Sequence, residues 1–166
     1  MSLIKESDIK KGQAIYTPIM LKFYNFWVLD ISNQWIWRCP KAKQLEQFNQ
    51  FISSKHLDIG VGTGYYLKSC KIPPQSEISL MDLNPNCLKE AKNALLKNKI
   101  HATTYQADIF KKQSALSDTF NSISMNYLLH CLPGSMQTKE TCIGNAVAML
   151  SPGGVLFGAT ILGDKN

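Results

Sequence analysis

Arginine is almost absent from this chain of 166 residues, and Arg38 is the single example. The formal net charge of +6 therefore comes from lysines, which are scattered along the chain and form no basic run. Scattered lysines usually form a solvated surface, and a surface of planar guanidinium groups for bidentate phosphate contacts is not available. Nucleic acid therefore stays open as a partner but is not favoured.

The cysteines are few and follow no motif: there are five, an odd number, with no C-x-x-C pair. This spacing is not that of a zinc site or a disulfide framework, so we expect free thiols and no bound metal. Residues 1–11 lack the apolar core of a signal peptide, and no apolar run reaches the roughly 18 residues that a membrane span needs. We expect a cytoplasmic protein without a membrane partner.

Proline and glycine are also sparse, at 7 and 10 residues, whereas 45 % of the residues are hydrophobic. That composition excludes a disordered or fibrous chain. The length suits one domain with one core. We predict a single domain over residues 1–166, with N-terminal helices in 1–54 and an α/β core in 55–166.

Two amphipathic helices are predicted before the core. In Thr17–Ile31, a threonine N-cap and a first-turn proline precede apolar residues at helical spacing. In Pro40–Ile52, one face is apolar and the other carries lysine, glutamate and glutamine. The apolar face of the second helix consists of Leu45, Phe48, Phe51 and Ile52.

After residue 55, short apolar runs alternate with helical stretches. The predicted strands are His56–Ile59, Glu77–Asp82, Thr103–Ala107, Ser122–Asn126 and Val155–Ile161. The predicted helices between them are Gly64–Cys70, Pro85–Asn98 and Ser135–Leu150. This alternation predicts an α/β fold with a mostly parallel sheet and helices on its faces.

The most informative segment is the glycine-rich sequence Leu57–Gly64, where a predicted strand ends in a turn and a helix begins. Such a turn presents backbone N–H groups at the start of the helix, and glycines let a ligand approach the main chain closely. Roughly 20 residues later the second strand ends in a carboxylate, Asp82, which is placed to bind ribose hydroxyls. The sequence therefore predicts a nucleotide-like ligand.

The glycine spacing separates two kinds of nucleotide. A dinucleotide fingerprint needs its third glycine where this chain has Tyr65. Asp58, just before the first glycine, suits a ligand that carries a positively charged amino-acid group. A nicotinamide-dependent oxidoreductase would also need a Tyr-x-x-x-Lys pair, which the sequence does not contain. That reading stays open as the less favoured alternative.

Several segments together resemble the class I S-adenosylmethionine-dependent methyltransferases. Leu57–Gly64 matches the acidic residue followed by G-x-G-x-G, and Met81–Pro85 resembles the ribose-binding strand end. Gln106–Phe110 resembles the adenine-contact loop, Ser122–Pro133 the fourth strand with its loop, and Leu150–Leu156 the L-x-P-G-G turn. The resemblance covers about residues 55–162 and implies a Rossmann-like doubly wound sheet.

The resemblance implies S-adenosylmethionine as cofactor, S-adenosylhomocysteine as product and a role for each motif residue. Asp58 would lie near the cofactor's ammonium group, Asp82 would hold the ribose and Leu83 would pack on the adenine. The other implied contacts are Gly60, Gly62 and Gly64 on the methionine half, Asp108 at the adenine amino group, Ile109 beside the adenine, and Asn126 near the sulfonium.

Two residues are candidates for catalysis. Methyl transfer from a sulfonium is an in-line displacement, so the protein mainly positions the reactants and removes an acceptor proton where one is present. His130, in the loop after the fourth strand, is a candidate general base, and Asn126 would lie near the acceptor. Enzymes of this family that methylate base amines often carry [N/D]-P-P-[Y/F] after that strand, whereas Asn126–Leu129 reads N-Y-L-L. We therefore predict a small-molecule acceptor.

The N-terminal region is a candidate lid, because small-molecule members of the family usually cover the crevice with extra helices. It is rich in aromatic residues, whose faces suit a flat organic acceptor and attract a sulfonium. The predicted substrate-binding residues are Tyr16, Tyr24, Trp37 and Arg38.

After the fifth strand we expect the resemblance to be incomplete, without the last strands of the family's usual seven-stranded sheet. The sequence is compatible with a truncated chain, a natural short form, or a sheet completed by another chain. An uncovered edge strand favours association, so a homo-oligomer formed through that edge is expected as one outcome. A protein that binds the cofactor without transferring a methyl group and an RNA methyltransferase stay open as alternatives.

Overall fold

The computed structural model describes residues 41–161. Within that range the chain forms four α-helices and five strands, with short 3₁₀ turns at Ser114–Leu116 and Leu129–Cys131. In chain order the elements are α1 (Lys41–Phe51), β1 (Lys55–Ile59), α2 (Tyr65–Ser69), β2 (Glu77–Asp82), α3 (Pro85–Lys97), β3 (Ala102–Gln106), β4 (Phe120–Ser124), α4 (Met136–Val147) and β5 (Leu150–Phe157).

The strands form one sheet in the order β3-β2-β1-β4-β5, and every neighbouring pair is parallel. The predicted α/β fold with a mostly parallel sheet is therefore confirmed. The chain moves outward from β1 through β2 to β3 and then returns to β4 on the other side of β1. This reversal between β1 and β4 creates the position where ligands of open α/β sheets bind.

Helices cover both faces of the sheet and divide the core into two layers. The first layer lies under α1, α2 and α3, and the second lies under α4. The first layer includes Phe48, Ile52, Tyr66, Leu67, Ile78, Leu80, Leu88, Ala91 and Phe157, and the second includes Leu57, Ile59, Met81, Phe120, Ile123, Cys142, Ala146 and Met149. No helix of residues 41–161 is both long and apolar enough to cross a membrane.

The ends of α3 agree with the sequence prediction. The Asn84 side chain accepts a hydrogen bond from the Asn86 N–H at 2.9 Å, Pro85 opens the first turn, and Asn98 caps the C-terminus. Near the end of this helix, the apolar residue Leu96 is 51 % exposed. Of the two adjacent leucines, Leu95 and Leu96, only Leu95 faces the sheet, because successive residues on a helix point about 100° apart.

The predicted bounds of the last two strands were wrong. β4 spans Phe120–Ser124, whereas Ser122–Asn126 was predicted, and β5 spans Leu150–Phe157, whereas Val155–Ile161 was predicted. The backbone still pairs beyond the strand ends, because the Met125 N–H donates to the Phe157 carbonyl at 2.9 Å. Asn126 therefore lies two residues after β4 and not at its end.

A bulge explains the early start of β5. Phe120 of β4 pairs with Leu150, whereas Ser122 pairs with Val155, so the extra residues of β5 bulge out of the ladder. Gly153 in the bulge has φ +77°, a left-handed conformation that favours glycine. The P-G-G sequence, read as a turn before the strand, thus lies inside the strand, and α4 ends at Val147 short of the predicted Leu150.

Candidate functional site

Three polar side chains lie at the carboxyl ends of neighbouring strands, on both sides of the switch point. Asp58 is the second-last residue of β1, Asp82 is the last residue of β2, and Asn126 follows β4. The sheet order brings β2, β1 and β4 side by side. Because carboxyl ends of parallel strands meet at one edge, these predicted site residues share one crevice.

The glycine-rich turn forms the floor of this crevice. Gly60, Gly62 and Gly64 all have positive φ, at +76°, +52° and +68°. A Cβ on Gly60 would lie 2.8 Å from Leu128 and one on Gly64 would lie 3.2 Å from Ala91, whereas a Cβ on Gly62 would meet nothing within 4 Å. The first and third glycines therefore permit tight packing, and Gly62 leaves open space for a ligand.

Asp82 accepts hydrogen bonds from the glycine-rich turn as well as from its own loop. The Asn84 N–H donates to its Oδ1 at 2.8 Å, and the backbone N–H groups of Leu83, Val61 and Gly62 also lower its pKa. Burial acts more strongly in the opposite direction and raises the pKa of the Asp82 carboxyl to about 6. This carboxylate is thus oriented by the main chain at the crevice.

Asp58 is the more deeply buried of the two carboxyls, with 6 % of its surface exposed. Burial raises the pKa of the Asp58 carboxyl to about 7, and the negative charge of Asp82 adds to that effect. A hydrogen bond from Ser124 Oγ to Asp58 Oδ1, 2.5 Å long, acts in the opposite direction. A buried carboxyl of this kind is able to bind a cationic group strongly, since the cation favours its ionised form.

The segment after β3 carries two further predicted residues. Asp108 Oδ1 accepts a hydrogen bond from the Phe110 N–H at 3.0 Å, so that Asp108 closes a turn beside the crevice. The Ile109 side chain is buried in the second core layer, and its carbonyl accepts from Asn145 Nδ2 at 2.8 Å. Leu83, directly after β2, is partly exposed, and its carbonyl lies 3.5 Å from Gln106 Nε2.

The side-chain oxygen of Asn126 is hydrogen-bonded, whereas its side-chain nitrogen has no partner among residues 41–161. Its Oδ1 accepts a hydrogen bond from the Ala159 N–H at 3.0 Å, which fixes the orientation of the amide because a backbone N–H only donates. The opposite atom, Nδ2, is buried and has no acceptor among residues 41–161. Buried polar groups are normally paired, so this N–H₂ group is a candidate donor to a bound ligand.

His130 lies in the 3₁₀ turn after β4. Its backbone N–H donates to Thr160 Oγ1 at 3.2 Å, and its ring Nδ1 lies 3.3 Å from the same oxygen. The ring also makes an edge contact with Tyr127, with centroids 6.0 Å apart. Partial burial, assisted by the charge of Lys139, lowers the pKa of His130 below its usual value. The imidazole is therefore neutral near pH 7, as a general base must be.

A hydrogen-bonded group of three side chains, which no sequence motif predicted, connects α1 to the site. The Tyr66 hydroxyl donates to Gln44 Oε1, and Gln44 Nε2 donates to the Tyr127 hydroxyl. Tyr127 has φ +54°, and its N–H donates to the Ala159 carbonyl at 2.7 Å. Gln44 lies one turn before Phe48 on the apolar side of α1, which is the signal that its amide is buried.

The predicted substrate-binding residues Tyr16, Tyr24, Trp37 and Arg38 lie outside the described residues, as does the predicted helix Thr17–Ile31. Within the described part, α1 is the one segment of the predicted lid. It packs on the sheet through Phe48, which stacks on Tyr66 with ring centroids 5.2 Å apart.

Comparison with known proteins agrees with this geometry. Residues 57–156 match the family model described as a methyltransferase domain. The chain belongs to the class I S-adenosylmethionine-dependent methyltransferases. The cofactor of this methyltransferase is S-adenosylmethionine.

Two curated relatives and one solved structure illustrate the kinship. The methyltransferase is 41 % identical to the physcion biosynthesis cluster O-methyltransferase of Aspergillus chevalieri, over 96 % of this chain and 72 % of the relative. It is 35 % identical to the demethylluteothin O-methyltransferase of Streptomyces thioluteus, over 95 % and 68 %. Its fold resembles that of the N-methyltransferase NodS from Bradyrhizobium japonicum WM9 in complex with S-adenosylhomocysteine, with a TM-score of 0.59, 26 % identity and coverage of 80 % of this chain. The chain spans 64 % of the length of NodS.

Proposed function

We propose that this methyltransferase transfers a methyl group to an oxygen atom of a small organic acceptor. The observation that carries the proposal is the buried Nδ2 of Asn126, a donor with no acceptor among the described residues, beside the crevice. The similarity to two O-methyltransferases named for small molecules supports an oxygen acceptor. When bound, S-adenosylmethionine supplies a methyl group on a sulfonium, which an acceptor lone pair takes by in-line displacement.

The crevice fits such a cofactor on three counts. Gly62 leaves room above the main chain, Asp82 presents a carboxylate for ribose hydroxyls, and Asp58 presents a buried carboxylate for an ammonium group. The remaining cofactor contacts that we propose are Gly60 and Gly64 on the methionine half, with Leu83, Asp108 and Ile109 around the adenine.

His130 is proposed as the base that removes the acceptor's proton. With a hydrogen on Nδ1, the ring donates to Thr160 Oγ1, and the other ring nitrogen, Nε2, keeps its lone pair. Asn126 Nδ2 is proposed to donate to the acceptor oxygen and to stabilise the charge that develops as the proton leaves. The acceptor side is proposed to be completed by Tyr16, Tyr24, Trp37 and Arg38.

The acceptor atom is tested with three versions of one small aromatic compound that differ only in a hydroxyl, amino or thiol group. Radiolabelled S-adenosylmethionine reports the transferred methyl group. We expect methyl transfer to the hydroxyl compound. NodS, which has a similar fold, is an N-methyltransferase. Methyl transfer to the amino compound alone would therefore show that the acceptor atom is nitrogen and not oxygen. Labelling of RNA and of no small acceptor would contradict it.

The two catalytic roles are tested with His130→Gln and Asn126→Ala. Each is expected to lower kcat by about a hundredfold, and His130→Gln is expected to leave the affinity for S-adenosylhomocysteine unchanged. The matched control is His101→Gln, because His101 is an exposed histidine at the other side of the sheet beside β3. Full activity of the folded His130→Gln variant would remove His130 as the base.

We also propose a cytoplasmic location and leave self-association as a prediction. Among the described cysteines, Cys70, Cys87 and Cys142 carry free thiols, which is usual in a reducing compartment. In the described range β5 is an edge strand, paired with β4 alone, and an open edge favours pairing with a second chain. Sedimentation of the purified protein over a range of concentrations measures that association.

A further inference from the structure

A stripe of polar side chains lies buried beneath α1, on the first core layer's side of the sheet. His56 and Asp58 alternate along β1, and Ser122 and Ser124 are their partners in register on β4. All four are almost completely inaccessible, and His56, Ser122 and Ser124 have no exposed surface. Polar groups at such a depth are costly unless every donor finds an acceptor.

Hydrogen bonds join these side chains into one continuous chain that ends at the candidate cofactor site. Ser122 Oγ lies 2.8 Å from His56 Nδ1, and His56 Nε2 lies 3.1 Å from Ser124 Oγ. Ser124 Oγ donates to Asp58 Oδ1 at 2.5 Å. At the far end, the Ser53 N–H donates to Ser122 Oγ at 3.0 Å.

The donor and acceptor of each hydrogen bond follow from the last one, between Ser124 and Asp58. Ser124 uses its single proton on Asp58, so its oxygen must accept from the proton on His56 Nε2. His56 Nδ1 then carries no proton and accepts from Ser122 Oγ. All bonds therefore run toward Asp58, an arrangement in which each bond strengthens the next. Burial lowers the pKa of His56 to about 3, against the smaller opposite effect of a backbone hydrogen bond at Ser122, so the ring stays neutral.

Neighbouring aromatic rings hold this row of hydrogen-bonded side chains rigid. The His56 ring lies between two aromatic rings, with centroids 6.2 Å from Phe48 and 5.8 Å from Phe157. Phe48 belongs to α1 and Phe157 ends β5, so the imidazole cannot rotate without displacing both. The position of the Ser124 proton is thus fixed by residues that lie outside the crevice.

We propose that His56 and Ser124 are positioning residues that orient the Asp58 carboxylate for the cofactor's ammonium group. By donating to Oδ1, Ser124 fixes the rotation of the carboxylate and directs Oδ2 to the ligand, and His56 fixes Ser124. This inference rests on the proposed role of Asp58 in binding the cofactor. It assigns a specific function to a histidine that belongs to none of the sequence motifs.

The test compares two ligands that differ in the amino-acid part. S-adenosylhomocysteine carries the ammonium group, whereas 5′-methylthioadenosine has the same adenine, ribose and sulfur but lacks the amino-acid moiety. Ser124→Ala should weaken S-adenosylhomocysteine about tenfold, the effect of one charge-assisted hydrogen bond, and leave 5′-methylthioadenosine unchanged. A general loosening of the site would weaken both ligands equally, and that result would overturn the proposal.

Two further variants separate the roles within the chain. His56→Gln keeps an N–H₂ donor near the position of Nε2, so the ratio of the affinities for S-adenosylhomocysteine and 5′-methylthioadenosine should equal that of the wild type. His56→Leu has no such donor and should weaken S-adenosylhomocysteine alone, as Ser124→Ala does. Ser79→Ala is the matched control, because Ser79 is a buried serine of β2 that faces the opposite side of the sheet. An altered ratio in Ser79→Ala would contradict the specificity claimed for the chain.

The same measurements separate this inference from the cofactor assignment. If the wild-type protein binds neither ligand, the cofactor assignment fails and the inference fails with it. If the wild-type protein binds S-adenosylhomocysteine but Ser124→Ala binds it equally well, only the positioning role fails. A double variant, Asp58→Asn with Ser124→Ala, should bind no more weakly than Asp58→Asn alone, and additive losses would count against the proposal.

Discussion

At the scale of single residues, Asp58 and Asp82 are two carboxyls in one crevice, and burial raises the pKa of both. The two differ in their partners. Asp82 accepts from several backbone N–H groups, which favour its ionised form, whereas Asp58 has the Ser124 hydroxyl. Asp58 is therefore the carboxyl that gains most from a cationic ligand, and the account of the site depends on that difference.

Cofactor affinity should depend on pH through Asp58. With a pKa of about 7 in the free protein, this carboxyl is mostly protonated at pH 6 and mostly ionised at pH 8. An ammonium group binds the ionised form, so binding below pH 7 must release a proton. Titration calorimetry should give a constant affinity for S-adenosylhomocysteine above about pH 8 and a loss of up to about tenfold per pH unit below 7.

The control for this pH dependence is a ligand without the ammonium group. The affinity of 5′-methylthioadenosine should stay constant between about pH 8 and 6.5, and Asp58→Asn should remove the pH dependence for S-adenosylhomocysteine over the same range. Equal affinities of the wild-type protein for S-adenosylhomocysteine at pH 8 and pH 6 would refute the role of Asp58.

Gly62 provides a second test at the residue scale. Gly62→Arg places a long side chain in open space above the glycine-rich turn, so binding of S-adenosylhomocysteine should be abolished. Gly153→Arg is a matched control, because Gly153 also has positive φ and nothing within 4 Å of its Cβ position, and it lies in the β5 bulge at the opposite edge of the sheet. Both variants should lose similar stability, about 1–2 kcal/mol in the left-handed conformation, and only the first should lose binding.

At the scale of elements, the sequence predicted the helices and strands of the described range but not the offset of the last two strands. β2 ends at Asp82 as predicted, because its apolar run stops at a carboxylate followed by an N-cap and Pro85. β5 begins earlier than predicted, because P-G-G is a turn signal and a bulge uses the same residues. The periodicity of the sequence cannot distinguish a turn from a bulge here, because the two differ only in how the residues pair with β4.

The docking of α1 is the element with the clearest energetic signature. Phe48 has no exposed surface and packs against Tyr66 and Phe157. Phe48→Ala should lower the free energy of unfolding by about 3–5 kcal/mol, the usual cost of removing a buried phenylalanine side chain. Urea unfolding measures this change, and Glu46→Ala, at an exposed position of the same helix, should stay within about 0.5 kcal/mol of the wild type.

A small effect of Phe48→Ala, below about 1 kcal/mol, would mean that α1 is not held by this core layer. The Gln44 hydrogen bonds to Tyr66 and Tyr127 would then have to position the helix. Side-chain networks of this kind were beyond the reach of the sequence, because they join α1, α2 and the loop after β4 across long separations along the chain.

At the scale of the whole molecule, the parallel order β3-β2-β1-β4-β5 assembles one crevice from strand ends that are far apart in sequence. The G-x-G-x-G spacing, Asp58 and Asp82 could be recognised from the sequence because each has a motif. The polar chain behind Asp58 could not be recognised, since it depends on the register of His56 with Ser122. The sequence thus predicted the fold, the nucleotide contacts stay a prediction, and the structure adds the hydrogen bonds that connect Asp58 to Ser124 and His56.

The measurement that tests the central claim most directly is calorimetric titration of the purified protein with S-adenosylhomocysteine, with NAD as the control ligand. The account predicts one site per chain for S-adenosylhomocysteine, with micromolar affinity, and no heat of binding for NAD. Binding of NAD in preference to S-adenosylhomocysteine, or binding of neither by a folded sample, would contradict it.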